Sequence, residues 1–516
     1  MTIIEQPVAF LGTRPRHGDR TPHGVSERGP DLLPLEAGEQ YRFTFAMDAC
    51  VGCHSCEVAC AEQNDLPVDQ AWRHVGELEG GTYPDTRRFS LSMACNHCVE
   101  PTCLSGCPTN AYEKLANGIV VHHEDDCIGC QYCIWNCPYE VPVFNPVRKV
   151  VSKCDLCRPR IDAGENPACV MSCPTRAIGI EPVNVAAWRA DHAEANAPGL
   201  PPADITLSTT RILLPPDLPE GTSSANERPV QAEHPHWPLI VLTLLTQLSL
   251  GMVATTVLLD VGGARRDRLG GAAVAAFVAG VLALGASLFH LGRPARALKA
   301  LRNLRTSWLS REVALFGLFS ALSFAYAASW WTDGLPGRLL GVAALAAGAA
   351  GVYASARLYL VPARPVWNSG RTPAAFFATA LATGPLVALL CLDRSRLEPS
   401  SITVLVALAA AGTLAQLAVQ AQLSRAVRRR TDPQHRGTAT LLAGPFRALF
   451  RGRLSLAATT LALLAFGLAS PLNGPAAGGR LGAAAVVAAV GELFGRYLFY
   501  VTVVPFRVAG NFFGKR

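Results

Sequence analysis

The sequence predicts two unlike halves in one chain: an α+β domain built around cysteine-rich loops, then an all-α polytopic membrane domain of eight transmembrane helices. Three observations carry this. Sixteen of the seventeen cysteines fall between Cys50 and Cys173, in four quartets. Residues 1–236 hold 18 Lys+Arg against 31 Asp+Glu, whereas residues 237–516 hold 28 against 8. From Trp237 onward, apolar runs of about 20 residues, the length that crosses a bilayer, recur eight times.

The clearest quartet is Cys127, Cys130, Cys133 and Cys137, followed by Pro138, in the pattern C-x2-C-x2-C-x3-C-P. In such runs three thiolates from one tight loop hold a four-iron cluster, and the fourth reaches a neighbouring one. Cys50, Cys53, Cys56 and Cys60 repeat the spacing without the proline. Cys95, Cys98, Cys103 and Cys107 stretch the middle gap to four residues, and Cys154, Cys157, Cys169 and Cys173 stretch it to eleven. Disulfides suit exported proteins, but four quartets of near-identical internal spacing make poor disulfide partners. Zinc favours two separated pairs around an isolated tetrahedron, a pattern only the last quartet could imitate. The expectation is four [4Fe-4S] clusters in a doubled ferredoxin-like domain over residues 41–181.

Residues 1–40 are rich in Pro, Gly, Arg and His and lack periodicity, which reads as a flexible N-terminal arm. No basic stretch followed by an apolar core opens the chain, so no secretory signal is expected. Arg87-Arg88 is internal and reads as a strand edge. Short strands are expected at 41–45, 118–122, 149–152 and 177–180, between the cysteine loops, as in ferredoxin-like modules. Residues 182–236 are Pro-rich and polar and read as a linker, or as an arm laid over a partner. The remaining cysteine, Cys391, sits in an apolar stretch and reads as packing.

The apolar runs lie at approximately 238–259, 269–291, 312–331, 339–361, 373–392, 401–423, 454–470 and 481–504. Their Ala and Gly content suits close helix–helix approach in lipid. Loops on the side of the cysteine domain carry 19 Lys+Arg against 7 on the opposite side. The positive-inside rule then puts the cysteine domain in the cytoplasm, with the chain in the bacterial inner membrane. These basic residues sit in loops between spans rather than on one soluble face, so no nucleic-acid partner is expected.

Ionisable groups in the hydrocarbon layer are functional candidates. His290 ends the second run and Glu312 begins the third, which puts both at the membrane face beside the cysteine domain. They are the candidate catalytic residues for taking protons from an electron carrier dissolved in the membrane, with Arg293 and Arg296 expected to steady an anionic intermediate. Glu492 and Arg496, spaced i,i+4 in the eighth run, can pair on one helix face, which reads as a structural ion pair or as part of a proton route. Arg357 and Gln247 read as lone polar residues bonded to neighbouring helices. A b-type haem needs two axial ligands, usually histidines from different spans. His290 is the only histidine in a predicted run and His435 falls in a loop, so no haem is expected.

Two stretches of motifs then resemble a known family. Cys50-Val-Gly-Cys-His-Ser-Cys56, Cys95-Asn-His-Cys98, Cys127-Ile-Gly-Cys130 and Cys154-Asp-Leu-Cys157 resemble the four-cluster electron-transfer subunit of dimethyl-sulfoxide-reductase-type molybdenum enzymes. Trp237-Pro-Leu, His290-Leu-Gly-Arg-Pro294, Pro365-Val-Trp-Asn-Ser-Gly370 and Gly495-Arg-Tyr-Leu-Phe-Tyr500 resemble the haem-free membrane anchor of the same enzymes, here fused into one chain. The resemblance implies that Cys50, Cys53 and Cys56 share a cluster with Cys173, and Cys154, Cys157 and Cys169 with Cys60. It likewise implies that Cys95, Cys98 and Cys103 share one with Cys137, and Cys127, Cys130 and Cys133 with Cys107. It places a functional histidine in the His290-Leu-Gly motif. The implied function is oxidation of menaquinol or another quinol from the membrane pool, with electrons passed to a separate molybdopterin catalytic subunit. This chain would then hold no site for the terminal substrate. The alternatives are the same conduit run in reverse, reducing quinone for a dehydrogenase, and a ferredoxin-linked ion transporter.

Overall fold

The structure is a computed structural model that describes residues 32–225, 230–264, 269–331, 336–393, 397–430, 432–469 and 475–508. Most of the expected N-terminal arm, residues 1–31, lies outside the described residues.

The cysteine half is made of short strands, because its loops return every few residues to place another thiol. The strand Glu39–Ala46 is the centre of a three-stranded sheet, antiparallel to Ile178–Asn184 and parallel to Arg211–Leu213. A second sheet pairs His74–Gly80 with Arg87–Met93 and Ser223–Ser224. Two small hairpins, Tyr112–Lys114 with Val120–His122 and Val143–Asn145 with Val150–Ser152, flank the third quartet. Phe43, Phe45, Leu78, Leu91 and Ile119 form the core between these sheets. Residues 182–225 fold back over the cysteine domain of the same chain. Trp188 Nε1 donates to the Ser208 carbonyl at 2.8 Å, and Thr210 Oγ1 donates to Asn96 Oδ1 at 2.7 Å.

The second half is an integral membrane domain. Eight helices among the described residues are long and apolar enough to cross a bilayer. In chain order they are Trp237–Val261, Gly270–Leu288, Trp308–Ala328, Gly337–Leu358, Arg371–Cys391, Pro399–Arg429, Arg447–Leu468 and Pro475–Val501, called the first to eighth spans below. Consecutive spans pair as hairpins, and the first and fifth cross at the centre. That crossing needs Gly251 and Gly384, since a Cβ on either would collide with the backbone of the facing helix.

Several boundaries differ from the sequence reading. The second span ends at Leu288, so His290 sits in the turn beyond it. The third begins at Trp308, four residues early, because Ser307 caps it by accepting a bond from the Ser310 amide. Glu312 is therefore carried a full turn inside and is only 4% exposed. His435 lies not in a loop but in the helix Pro433–Ala443, buried, with its Nδ1 2.8 Å from Asp432.

Candidate functional site

The four C-x-x-C turns share one backbone device. The residue before the second cysteine has positive φ in each: 66° at Gly52, 44° at His97, 68° at Gly129 and 61° at Leu156. Only two are glycines, so the strain is held by the loop as a whole. In the third of these turns Gly129 N lies 3.3 Å from Cys127 Sγ, and after the second quartet Ala111 N lies 3.3 Å from Cys107 Sγ.

All seventeen cysteines are free thiols. Cys95, Cys98, Cys103 and Cys137 line one cavity. Among the described residues no three His, Cys, Asp or Glu groups converge tightly enough for a single metal ion. Four thiols around a space larger than one ion fit a cluster better than zinc. The thiols act on one another in four groups: Cys50 with Cys53 and Cys173, Cys60 with Cys157 and Cys169, Cys103 with Cys95, Cys98 and Cys137, and Cys133 with Cys107, Cys127 and Cys130. Cys56 is near enough to feel Cys169, and Cys154 to feel Cys95, while Tyr112 feels both Cys103 and Cys133, so each group neighbours the next. Burial pushes the thiols of Cys98 and Cys137 up to about 12 and that of Cys157 up to about 11. Metal binding would release protons from these thiols.

Two buried cations, missed in the sequence, stand along this file. Arg73 is 2% exposed and lies among Cys56, Cys60, Cys154 and Cys169. Its Nη1 donates to Ser92 Oγ at 3.1 Å, while Nε and Nη2 have no protein partner. Lys153 lies among Cys95, Cys103 and Cys154 and donates to the carbonyls of Val120 and Cys154. No sequence pattern flags either residue, because the cysteines around each come from segments far apart in the chain.

At the membrane the third quartet docks onto the turn after the second span. Arg293 N donates to the Ile128 carbonyl at 3.0 Å, and Gly292 N to that of Gly129 at 3.3 Å. A Cβ at Gly292 would collide with the Lys149 carbonyl oxygen. Asn303 Nδ2 donates to the Cys107 carbonyl at 2.8 Å, and Lys299 and Arg302 pair with Asp126 at 2.9 and 2.7 Å. Arg293 and Arg296, expected near the quinol, instead donate to the carbonyls of Glu124 and Asp125. They fasten the two halves together, because the cysteine domain docks its Glu124 and Asp125 carbonyls within their reach.

Beneath the dock is an aromatic niche. Trp135 packs against His236, His290 and Trp367, with ring centroids 5.2, 6.3 and 5.4 Å away. His236 and His290 meet edge to face at 5.3 Å, and the His290 ring faces the Cys130 backbone. Burial lowers both imidazoles to about 4, so both are neutral near pH 7. Tyr359 and Tyr500 close the niche with their hydroxyls 2.5 Å apart. The Tyr132 hydroxyl donates to the Leu358 carbonyl at 2.9 Å, and Glu312 is close enough to act on that phenol. Phe289, next to His290, is 85% exposed. Trp135, His236 and Tyr359 carry no motif of their own, Tyr500 ends the Gly495–Tyr500 motif, and only the fold brings the four together.

The expected Glu492–Arg496 pair does not form. Glu492 accepts from Thr379 Oγ1 at 2.6 Å and Gln416 Nε2 at 2.8 Å, while Arg496 donates to Gln247 Oε1 at 2.7 Å. Arg357 lies over the Trp308 ring at 5.0 Å.

Comparison with known proteins agrees with both halves. The family of the DMSO reductase anchor subunit (DmsC) matches residues 230–501, and the 4Fe-4S dicluster domain matches residues 87–182. The B subunit of the anaerobic dimethyl sulfoxide reductase of Haemophilus influenzae is 37% identical over 177 residues, covering 33% of this protein and 86% of the relative. The corresponding B subunit of Escherichia coli is 36% identical over 198 residues, covering 37% of this protein and 92% of the relative. Protein NrfC of Escherichia coli is 40% identical over 144 residues, covering 27% of this protein and 65% of the relative. The protein belongs to the DMSO reductase anchor-subunit family and carries, in the same polypeptide, a 4Fe-4S electron-transfer domain similar to the B subunit of those reductases.

Proposed function

We propose that this chain oxidises a membrane quinol at the His290 niche and passes the electrons through four [4Fe-4S] clusters to a separate molybdopterin catalytic subunit. The observation that carries the reading is the contact between His290 and the Cys130 loop, which sets a neutral imidazole, able to accept a hydrogen bond, against the innermost thiol group. The cluster nearest the membrane is held by Cys107, Cys127, Cys130 and Cys133. The next is held by Cys95, Cys98, Cys103 and Cys137, and the third by Cys60, Cys154, Cys157 and Cys169. Cys50, Cys53, Cys56 and Cys173 hold the outermost. Each cluster supplies a one-electron relay when bound.

The chain's own residues bind and deprotonate the quinol. Neutral His290 accepts a hydrogen bond from one quinol hydroxyl, and Glu312 receives a proton on the side of Tyr132. Trp135 and Tyr359 supply flat faces for the ring. His236 and His290 touch each other and Trp135, an arrangement that suits a small head group rather than axial ligation of a haem. The partner docks at the far end, where Cys53 is exposed and Val51, Val58 and Met171 present an apolar surface around it. With 19 basic residues in its loops on that side, the cysteine domain faces the cytoplasm of the inner membrane.

His290→Phe lowers quinol-driven turnover about 100-fold or more, while an artificial donor still reduces the clusters. Normal quinol turnover in that variant would sink the niche. A reporter active only after export, fused after Arg516, stays silent if the orientation is right. Quinone reduction by a reduced partner, without quinol oxidation, would favour the reverse direction.

A further inference from the structure

A second cleft lies among the fifth, sixth, seventh and eighth spans. It sits in the half of the bilayer facing the cysteine domain, since its lining includes Arg371 at the start of the fifth span and Leu423 near the end of the sixth. Trp367 and Phe499, stacked with centroids 4.9 Å apart, wall it off from the His290 niche.

Three guanidinium groups line it, Arg371, Arg453 and Arg496, against one carboxylate among the described lining residues, Glu492. That carboxylate is engaged elsewhere. Gln416 donates to Glu492 at 2.8 Å and accepts from Arg453 Nη2 at 2.9 Å, so it holds the two charges apart. Arg453 Nη1 donates to Gln420 Oε1 at 2.6 Å. Its guanidinium lies flat against Gly495, where any Cβ would collide with it. Arg496 is 5% exposed, stacks over Phe376 at 4.0 Å, and leaves Nε without a partner. Arg371 donates to Ser369 Oγ at 3.0 Å, and Arg430 is near enough to repel it. Among the described residues, none of the three guanidinium groups has a carboxylate within ion-pair distance. The remaining walls are apolar, including Val419, Leu423 and Leu498.

Three guanidinium charges held in hydrocarbon against the single carboxylate of Glu492 leave a net positive charge that is costly there, and basic pockets between membrane helices near one surface take anionic lipid head groups. A soluble anion would leave the apolar walls bare. We propose that this cleft binds one anionic phospholipid, its phosphate between Arg371 and Arg453 and an acyl chain along Val419, Leu423 and Leu498. The inference does not depend on the quinol site.

Native mass spectrometry of the full-length protein in mild detergent is expected to show one phosphatidylglycerol retained per polypeptide. The Arg371→Gln/Arg453→Gln double variant retains at least tenfold less. Equal retention in that variant would overturn the proposal. Should the variant fail to fold, the delipidated wild-type protein still decides. Phosphatidylglycerol vesicles should raise its melting temperature, and phosphatidylcholine vesicles should not. Equal stabilisation by phosphatidylcholine, or full stabilisation by inorganic phosphate alone, would overturn it as well.

Discussion

In the cysteine domain the buried cations Arg73 and Lys153 lie among thiols, whereas in the membrane domain the buried cations Arg453 and Arg496 lie among amides and aromatic rings. The difference follows from what each half must compensate. A cluster with its thiolates is negative and cannot move, so a fixed cation beside it offsets a permanent charge. Hydrocarbon offers no such charge, and there glutamine and aromatic faces spread the guanidinium's field without neutralising it. The first arrangement suits a wire, and the second leaves room for a ligand of opposite sign.

The two regions also differ in how they tolerate change, and four substitutions would break or sharpen the contrast. The largest effect is expected at Cys130. Cys130→Ser should abolish quinol-driven electron transfer and perturb one cluster, leaving most of the other signals in electron paramagnetic resonance. The intact protein should hold about sixteen irons and as many sulfides. Iron near eight per polypeptide, or stoichiometric zinc, would undo the ligand assignment.

Next is the seam between the halves. Gly292→Val drives a branched side chain into the Lys149 carbonyl. Overpacking of about 1–3 kcal/mol corresponds to roughly 5- to 100-fold weaker docking. Quinol-driven cluster reduction should slow accordingly while the cluster spectra stay intact. Unchanged kinetics would mean that the dock tolerates a gap at Gly292.

Arg73→Met tests the fixed cation. Removing a positive charge disfavours the reduced, more negative state, so the potentials of the two neighbouring clusters should fall by on the order of 50–100 mV. Arg73→Lys should restore most of the shift. Potentiometric titration that finds no change would show the guanidinium to be a packing group only.

The smallest effect is expected at Asp126, whose pairs with Lys299 and Arg302 are partly exposed. Asp126→Asn should weaken docking by less than about fivefold. Hydrogen bonds from Lys299 and Arg302 hold its carboxyl below the ordinary value near 3.8. Its contribution is therefore fully present above that value and is lost as pH falls through the lowered one. The variant and the wild type should converge in strongly acidic buffer, and a difference that grows there would contradict the sign.

Much of this was legible in the amino-acid sequence alone, for a physical reason. Cluster loops need thiols at fixed short separations, and a bilayer needs about 20 apolar residues per crossing. Both demands are local, so Cys127 to Pro138 and the eight apolar runs announce themselves in one dimension. His290 and Glu312 were visible because ionisable residues at the ends of apolar runs are rare. What depends on three dimensions was not legible. Trp135 enters the niche only because the third quartet docks on Gly292, and His236 only because the first span starts beside the second span's end. Arg293 and Arg296 were assigned to the niche on charge, yet the Glu124 and Asp125 carbonyls hold them in the seam. Glu492 and Arg496 have the spacing of a helical pair, but Thr379, Gln416 and Gln247 on neighbouring spans compete for them. Local spacing determined which chemistry each segment could carry. Packing between distant segments decided which partners each polar group met, because a hydrogen bond goes to whichever partner the fold brings into reach.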